Sequence, residues 1–170
     1  DYAVVEADEG NTTEWNVRRM RLGARATLFR TFTLHAEADF NPQEAEPFYV
    51  RLTDFYLEWS RNRRLAVTVG KQGVDFTMDG STSSRNLIAI DRSNLANNLW
   101  FTEEYVPGVS VSGTTGPWTY VGGVFSSGAR NREFGEFTGG VFTLGVVGYD
   151  FAETLGVEEA LLTGNYVYQN

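Results

Sequence analysis

From Val17 to Leu28 the chain alternates with period two: Met20, Leu22, Ala24, Ala26 and Leu28 fall on one side, Arg19, Arg21, Arg25 and Thr27 on the other. Successive side chains of an extended strand point to opposite faces, so this segment predicts a strand with one apolar and one basic face. Phe32 to Phe40 repeats the arrangement, setting Phe32, Leu34, Ala36, Ala38 and Phe40 against Thr33, His35, Glu37 and Asp39. The residues between, Phe29 to Thr31, predict a hairpin turn. Within Tyr49 to Trp59, Phe55, Leu57 and Trp59 oppose Asp54, Tyr56 and Glu58, and a turn at Arg61 to Arg63 leads into Leu65, Val67 and Val69. Glycine-rich segments near 106–113, 118–127, 139–150 and 160–170 predict later strands with less distinct faces. Tyr2 to Glu6 predicts a partial strand, followed by a polar link from Asp8 to Glu14.

The connections sharpen the picture. In order they run long (8–14), short (29–31), long (41–48), short (61–63), long (74–105), short (114–117), long (128–138) and moderate (151–159). Tight turns at one rim and longer loops at the other are the rhythm of an up-and-down outer-membrane barrel, which a Greek-key sandwich has no reason to keep. Desolvation assigns the faces. Arginines on a strand face in a dry core would cost several kcal/mol per ion, so that face requires water. A water-filled lumen inside and lipid outside satisfy both faces, and the aromatics Trp15, Phe29, Phe32, Phe40, Tyr49, Trp59 and Trp118 at strand ends suit interfacial girdles. A soluble antiparallel sheet with one wet face would alternate in the same way.

Composition narrows the chemistry. The 170 residues carry a net charge of -8, no Cys and a single His, His35. Disulfide frameworks, thiolate zinc sites and Cys nucleophiles are excluded, and so is a metal site built on several imidazoles. The acidic balance disfavours a nucleic-acid partner, because phosphate backbones are held by clustered Lys and Arg. His35 has lumen parity with no Ser in its hairpin, so no catalytic residue is expected; no ordered acidic loop of the EF-hand kind occurs, so neither metal nor cofactor is expected.

The run Val17-Arg18-Arg19-Met20-Arg21-Leu22-Gly23 is followed by L-F-R-T-F-T-L-H-A-E-A-D-F, L-T-D-F-Y-L-E-W, V-T-V-G-K, S-T-S-S-R, A-I-D-R-S, P-G-V-S-V-S-G and W-T-Y-V-G-G-V-F. In that order, from about residue 15 to 127, these blocks resemble the phosphate-selective porin O and P family. The resemblance implies a bacterial outer-membrane porin. It would be a homotrimer of 16-stranded barrels in contact with lipid bilayer and lipopolysaccharide, passing small hydrophilic solutes or anions such as phosphate through a pore narrowed by infolded loops. Eight or nine strands would be about half of such a barrel, so the chain is expected to be an N-terminal to middle portion of one β-barrel domain. A complete eight-stranded barrel with a structural or adhesive role, and a soluble β-domain that binds a ligand, are the competing readings.

Arg19, Arg21 and Arg25 recur on one strand face, where guanidinium forks spaced about 7 Å per two residues could hand an anion along the wall. Arg18-Arg19 is the pair that matches the family motif; Arg18 itself has lipid-side parity and suits the rim. Alternatively the arginines pair with Glu37 and Asp39 on the next strand and only brace the wall. Asp54 and Glu58 add negative charge to the same lumen wall. The 74–105 segment is too long for an ordinary connection and is the candidate constriction loop, with Arg85 and Arg92 as pore-facing cations. Against those two stand Asp75, Asp79, Asp91, Glu103 and Glu104, and the family's lysine before the T-S-S block is missing. An acidic loop repels anions, which sets this chain apart from phosphate-selective members.

Overall fold

The computed structural model describes residues 2–7, 10–15, 20–43, 47–74, 105–126, 140–158 and 160–169. Its strands are β1 (Tyr2–Ala7), β2 (Gly10–Trp15), β3 (Met20–Leu28), β4 (Phe32–Phe40), β5 (Tyr49–Asn62), β6 (Leu65–Gly73), β7 (Tyr105–Thr115), β8 (Trp118–Ser126), β9 (Val141–Asp150) and β10 (Leu161–Gln169). A single helical turn, α1 (Ala152–Leu155), lies between β9 and β10. Strands β3 to β10 form one antiparallel sheet in which each pairs only with its neighbours in the chain. The sheet is open, with β3 and β10 at its edges, so the closed eight-stranded barrel considered from sequence is not formed among the described residues.

Two local expectations are corrected. The Asp8 to Glu14 link is in part a strand: β2 pairs with β1, setting Thr12 and Thr13 against Val5 and Val4. β-Branched residues suit a pleated ladder, which outweighs the polarity that suggested a link. The second tight turn is not Arg61 to Arg63. The register passes from Ser60↔Ala66 to Asn62↔Leu65, so Arg61 is the extra residue of a bulge and the turn is Arg63-Arg64. Asn62 fixes it by accepting the Arg64 N–H on its side-chain oxygen at 2.8 Å.

One row of cross-strand partners runs over the whole sheet: Ala26, Leu34, Leu57, Val69, Val109, Val124, Thr143 and Tyr168. Leu34, Leu57, Val69, Val109, Val124 and Tyr168 in that row are between 39% and 55% exposed. A continuous exposed apolar belt is what lipid covers in a barrel wall. Aromatic groups flank it. Phe32 and Trp59 pair at the short-turn end, where Trp118 and Tyr149 also meet at 4.8 Å; at the long-loop end Phe40 contacts Phe48 and Tyr49 at 5.3 and 5.9 Å. Phe32 and Phe40 stand about 27 Å apart along β4 at the rise of an antiparallel strand. A strand tilt near 40° brings that to about 20 Å, commensurate with an apolar band ~25 Å tall.

The opposite face has two sectors. Over β3 to β6 it carries Arg21, Arg25, His35, Glu37, Asp39, Tyr56, Glu58 and Thr68. Towards β8 and β9 it becomes apolar, with Phe125 and Phe142 stacked at 5.3 Å and buried together with Leu144. Val74 and Val106, at the two ends of the 75–104 connection, are buried in that same cluster. Gly70 is required where β6 crosses Tyr56: its φ is +131°, and a Cβ there would stand 2.7 Å from the Tyr56 Cα.

Candidate functional site

The polar sector centres on Asp39, whose side chain is only 6% exposed. Cross-strand pairing explains its company, since Arg21 of β3 and Arg51 of β5 are its register partners on either side. Arg21 donates through Nε to Asp39 Oδ1 at 2.7 Å and through Nη2 to Oδ2 at 3.3 Å; Arg51 Nε donates to Oδ2 at 3.3 Å. A planar guanidinium fork matches the two carboxylate oxygens, and a carboxylate this buried requires such a partner. Arg21 Nη1 also lies 3.1 Å from Glu37 Oε1. The same nitrogen donates to the Tyr105 hydroxyl at 2.9 Å, and the guanidinium carbons of Arg21 and Arg51 are each 5.4 Å from the centre of the Tyr105 ring.

Arg51 reaches this face because of a bulge. Glu37 pairs with Asp54 but Ala38 with Leu52, so Thr53 is extra and the alternation of β5 changes phase there. The Thr53 hydroxyl, fully buried, donates to the Glu37 carbonyl at 2.9 Å and fastens the bulge. Strict alternation would put Arg51 with Phe55, Leu57 and Trp59 on the apolar side. Sequence reasoning therefore missed Arg51; the adjacent polar pair Thr53-Asp54 within an alternating strand was the available signal. Tyr105 was also missed, and no local pattern marks it.

The expected residues fall into distinct circumstances. Arg21 is tied to Glu37 and Asp39, as the wall-bracing alternative had it. Arg25 is exposed, sits opposite His35, and forms no ion pair among the described residues. Asp54 accepts the Gly73 N–H at 3.3 Å, and Glu58 pairs in register with Thr33 and Thr68. Arg19, Arg85 and Arg92 lie outside the described residues. His35 packs edge-on against Tyr56 at 5.2 Å.

The charges decide what this wall can do. At 4 Å and an effective dielectric near 20, a guanidinium attracts a passing anion by about 4 kcal/mol, and a carboxylate at the same distance cancels it. Among the described residues Arg21 and Arg51 face Glu37 and Asp39, and the charges of these four side chains sum to zero, leaving little net pull. Arg25 is the described arginine on this face whose charge is left uncompensated by an ion pair.

The stems of the 75–104 connection meet the same face. Tyr105 lies against Arg21 and Arg51, Val74 and Val106 against Phe125, Phe142 and Leu144, and Gln72 accepts from Ser110 at 2.8 Å. Both ends of the connection are thus anchored on the inner surface.

A family model described as phosphate-selective porin O and P matches residues 1–144. No curated protein and no solved structure matches this chain.

Proposed function

This chain belongs to the phosphate-selective porin O and P family of bacterial outer-membrane channels, and from that membership we propose that it walls a water-filled pore for passive diffusion of small hydrophilic solutes, with small anions such as phosphate among them and only weak charge selectivity. The observation that carries the weak selectivity is the neutral pairing of Arg21 and Arg51 with Glu37 and Asp39. Arg25, exposed on the same face, supplies the attraction for anions, and Asp54 and Glu58 oppose it. A mixed wall of this kind orients polar solutes without excluding either sign.

In this reading the 74–105 segment folds into the lumen and sets the constriction through Arg85 or Arg92, with Arg19 extending the basic wall. The burial of Val74, Tyr105 and Val106 on the inner face supports an inward loop. The reading further takes the chain as part of a 16-stranded barrel that assembles as a homotrimer between phospholipid and lipopolysaccharide leaflets. The test is reversal potential across a planar bilayer holding the full-length protein, in a KCl gradient. A small shift to the anion side is expected; a strongly cation-selective current would remove the role given to Arg25.

A further inference from the structure

The short-turn rim carries charge that the pore wall does not use. Arg30 lies in the β3–β4 turn, Arg61 in the β5 bulge, and Arg63 and Arg64 form the β5–β6 turn. These turns are neighbours, joined by a bond from the Ser60 N–H to the Thr31 carbonyl at 2.8 Å. All four arginines are exposed, and none forms an ion pair with the described residues. In a chain of net charge -8, four unopposed guanidinium groups on two adjoining turns are a local reversal of sign.

The backbone beneath them is fixed. Arg63 and Arg64 each offer their carbonyl to the next hairpin, Arg63 to the Thr114 N–H at 2.8 Å and Arg64 to the Tyr120 hydroxyl. In the first turn both Phe29 (φ 52°) and Arg30 (φ 62°) have left-handed backbones, a conformation that Asn-Gly would adopt with less strain. The strained pair presents an aromatic ring that is 87% exposed beside a guanidinium. Immediately above lie Leu28, Phe32 and Trp59, which share one register row at the end of the apolar belt.

We propose that this patch is a phospholipid-headgroup site: Arg30, Arg61, Arg63 and Arg64 hold the phosphate of an inner-leaflet anionic lipid while Phe29, Leu28 and Trp59 contact its acyl chains. Short turns of outer-membrane barrels lie at the periplasmic rim, level with the inner-leaflet headgroups. Guanidinium forks fit phosphate oxygens, and basic clusters beside a membrane-spanning surface attract anionic lipid. A soluble anion has no use for the exposed ring and the adjoining apolar row, which is why the lipid is favoured over free phosphate.

The test uses the full-length protein in detergent, titrated with phosphatidylglycerol or phosphatidylcholine, with retained lipid counted by native mass spectrometry. Phosphatidylglycerol should be retained roughly tenfold better, and the joint variant R30Q/R61Q/R63Q/R64Q should lower it to the phosphatidylcholine level. Excess inorganic phosphate should not displace it. If the neutral variant does not fold, a KCl titration of the unaltered protein replaces it, and the preference should fall as salt rises. Equal retention of the two lipids, a preference insensitive to both substitution and salt, or displacement by inorganic phosphate would overturn the proposal, the last by making the patch a free-anion site.

Discussion

Arg21 and Tyr105 are 84 residues apart in the chain and four strands apart in the sheet, yet the arginine Nη1 donates to the tyrosine hydroxyl at 2.9 Å. Adjacent strands stand about 4.8 Å apart, so a flat sheet would separate these positions by roughly 19 Å. The contact therefore depends on the curl of the wall over its polar face, and it ties the end of the long connection to the charged group on β3 to β5. Tyr105→Phe keeps the ring against both arginines and deletes the hydroxyl. A hydrogen bond to a charged group is worth about 1.5–3 kcal/mol, so the urea unfolding midpoint should fall accordingly. Open-channel current noise should rise as the loop stem loosens; no change in either would show that the hydroxyl holds nothing.

Asp39→Asn leaves two partly buried guanidinium groups with a neutral acceptor. Breaking a buried ion pair by removing one partner costs about 3–5 kcal/mol, and the lower end applies here because Arg21 and Arg51 are each about a quarter exposed. The variant should unfold at lower denaturant, and the reversal potential should move towards anion selectivity because a negative charge is gone from the wall.

Arg25→Gln separates solute handling from wall bracing. Without an ion pair to lose, the substitution should change stability by less than about 0.5 kcal/mol. Anion permeability relative to cation permeability should drop all the same. An unaltered reversal potential would mean that the Arg25 charge is screened from the permeation path.

Deleting Thr53 removes the extra residue and leaves Arg51 two positions from Asp54, so a regular β5 still carries Arg51 on the face of Asp39. What is lost is the buried bond from the Thr53 hydroxyl to the Glu37 carbonyl, worth about 0.5–1.5 kcal/mol. Folding yield into lipid vesicles should stay close to that of the unaltered protein. A collapse of the yield on deletion that Arg51→Leu reverses would show that Arg51 had turned to the lipid, and would sink this account of the bulge.

The alternation of apolar and polar positions was enough to place β3, β4 and most of β5 and β6, because side-chain direction in a strand is a local property with a fixed period. The connection rhythm likewise gave an up-and-down order, and the ordered sequence blocks pointed to the family that the match over residues 1–144 then showed. Asp8 to Glu14 and Arg61 to Arg63 misled for a common reason: whether a polar segment joins a ladder, and where a ladder gains a residue, depends on the partner strand.

On its own, then, the sequence determined the fold class and which face of β3 and β4 carries charge, since both follow from residue type at period two. Only the tertiary structure decided that Arg51 belongs with Asp39, that Tyr105 closes over them, and that Arg21 is a neutralised member of the wall while Arg25 stays exposed. Those outcomes rest on a bulge that resets register and on a curl that brings distant strands together. Neither is encoded at any single position, because each is a relation between strands and exists only once they pair.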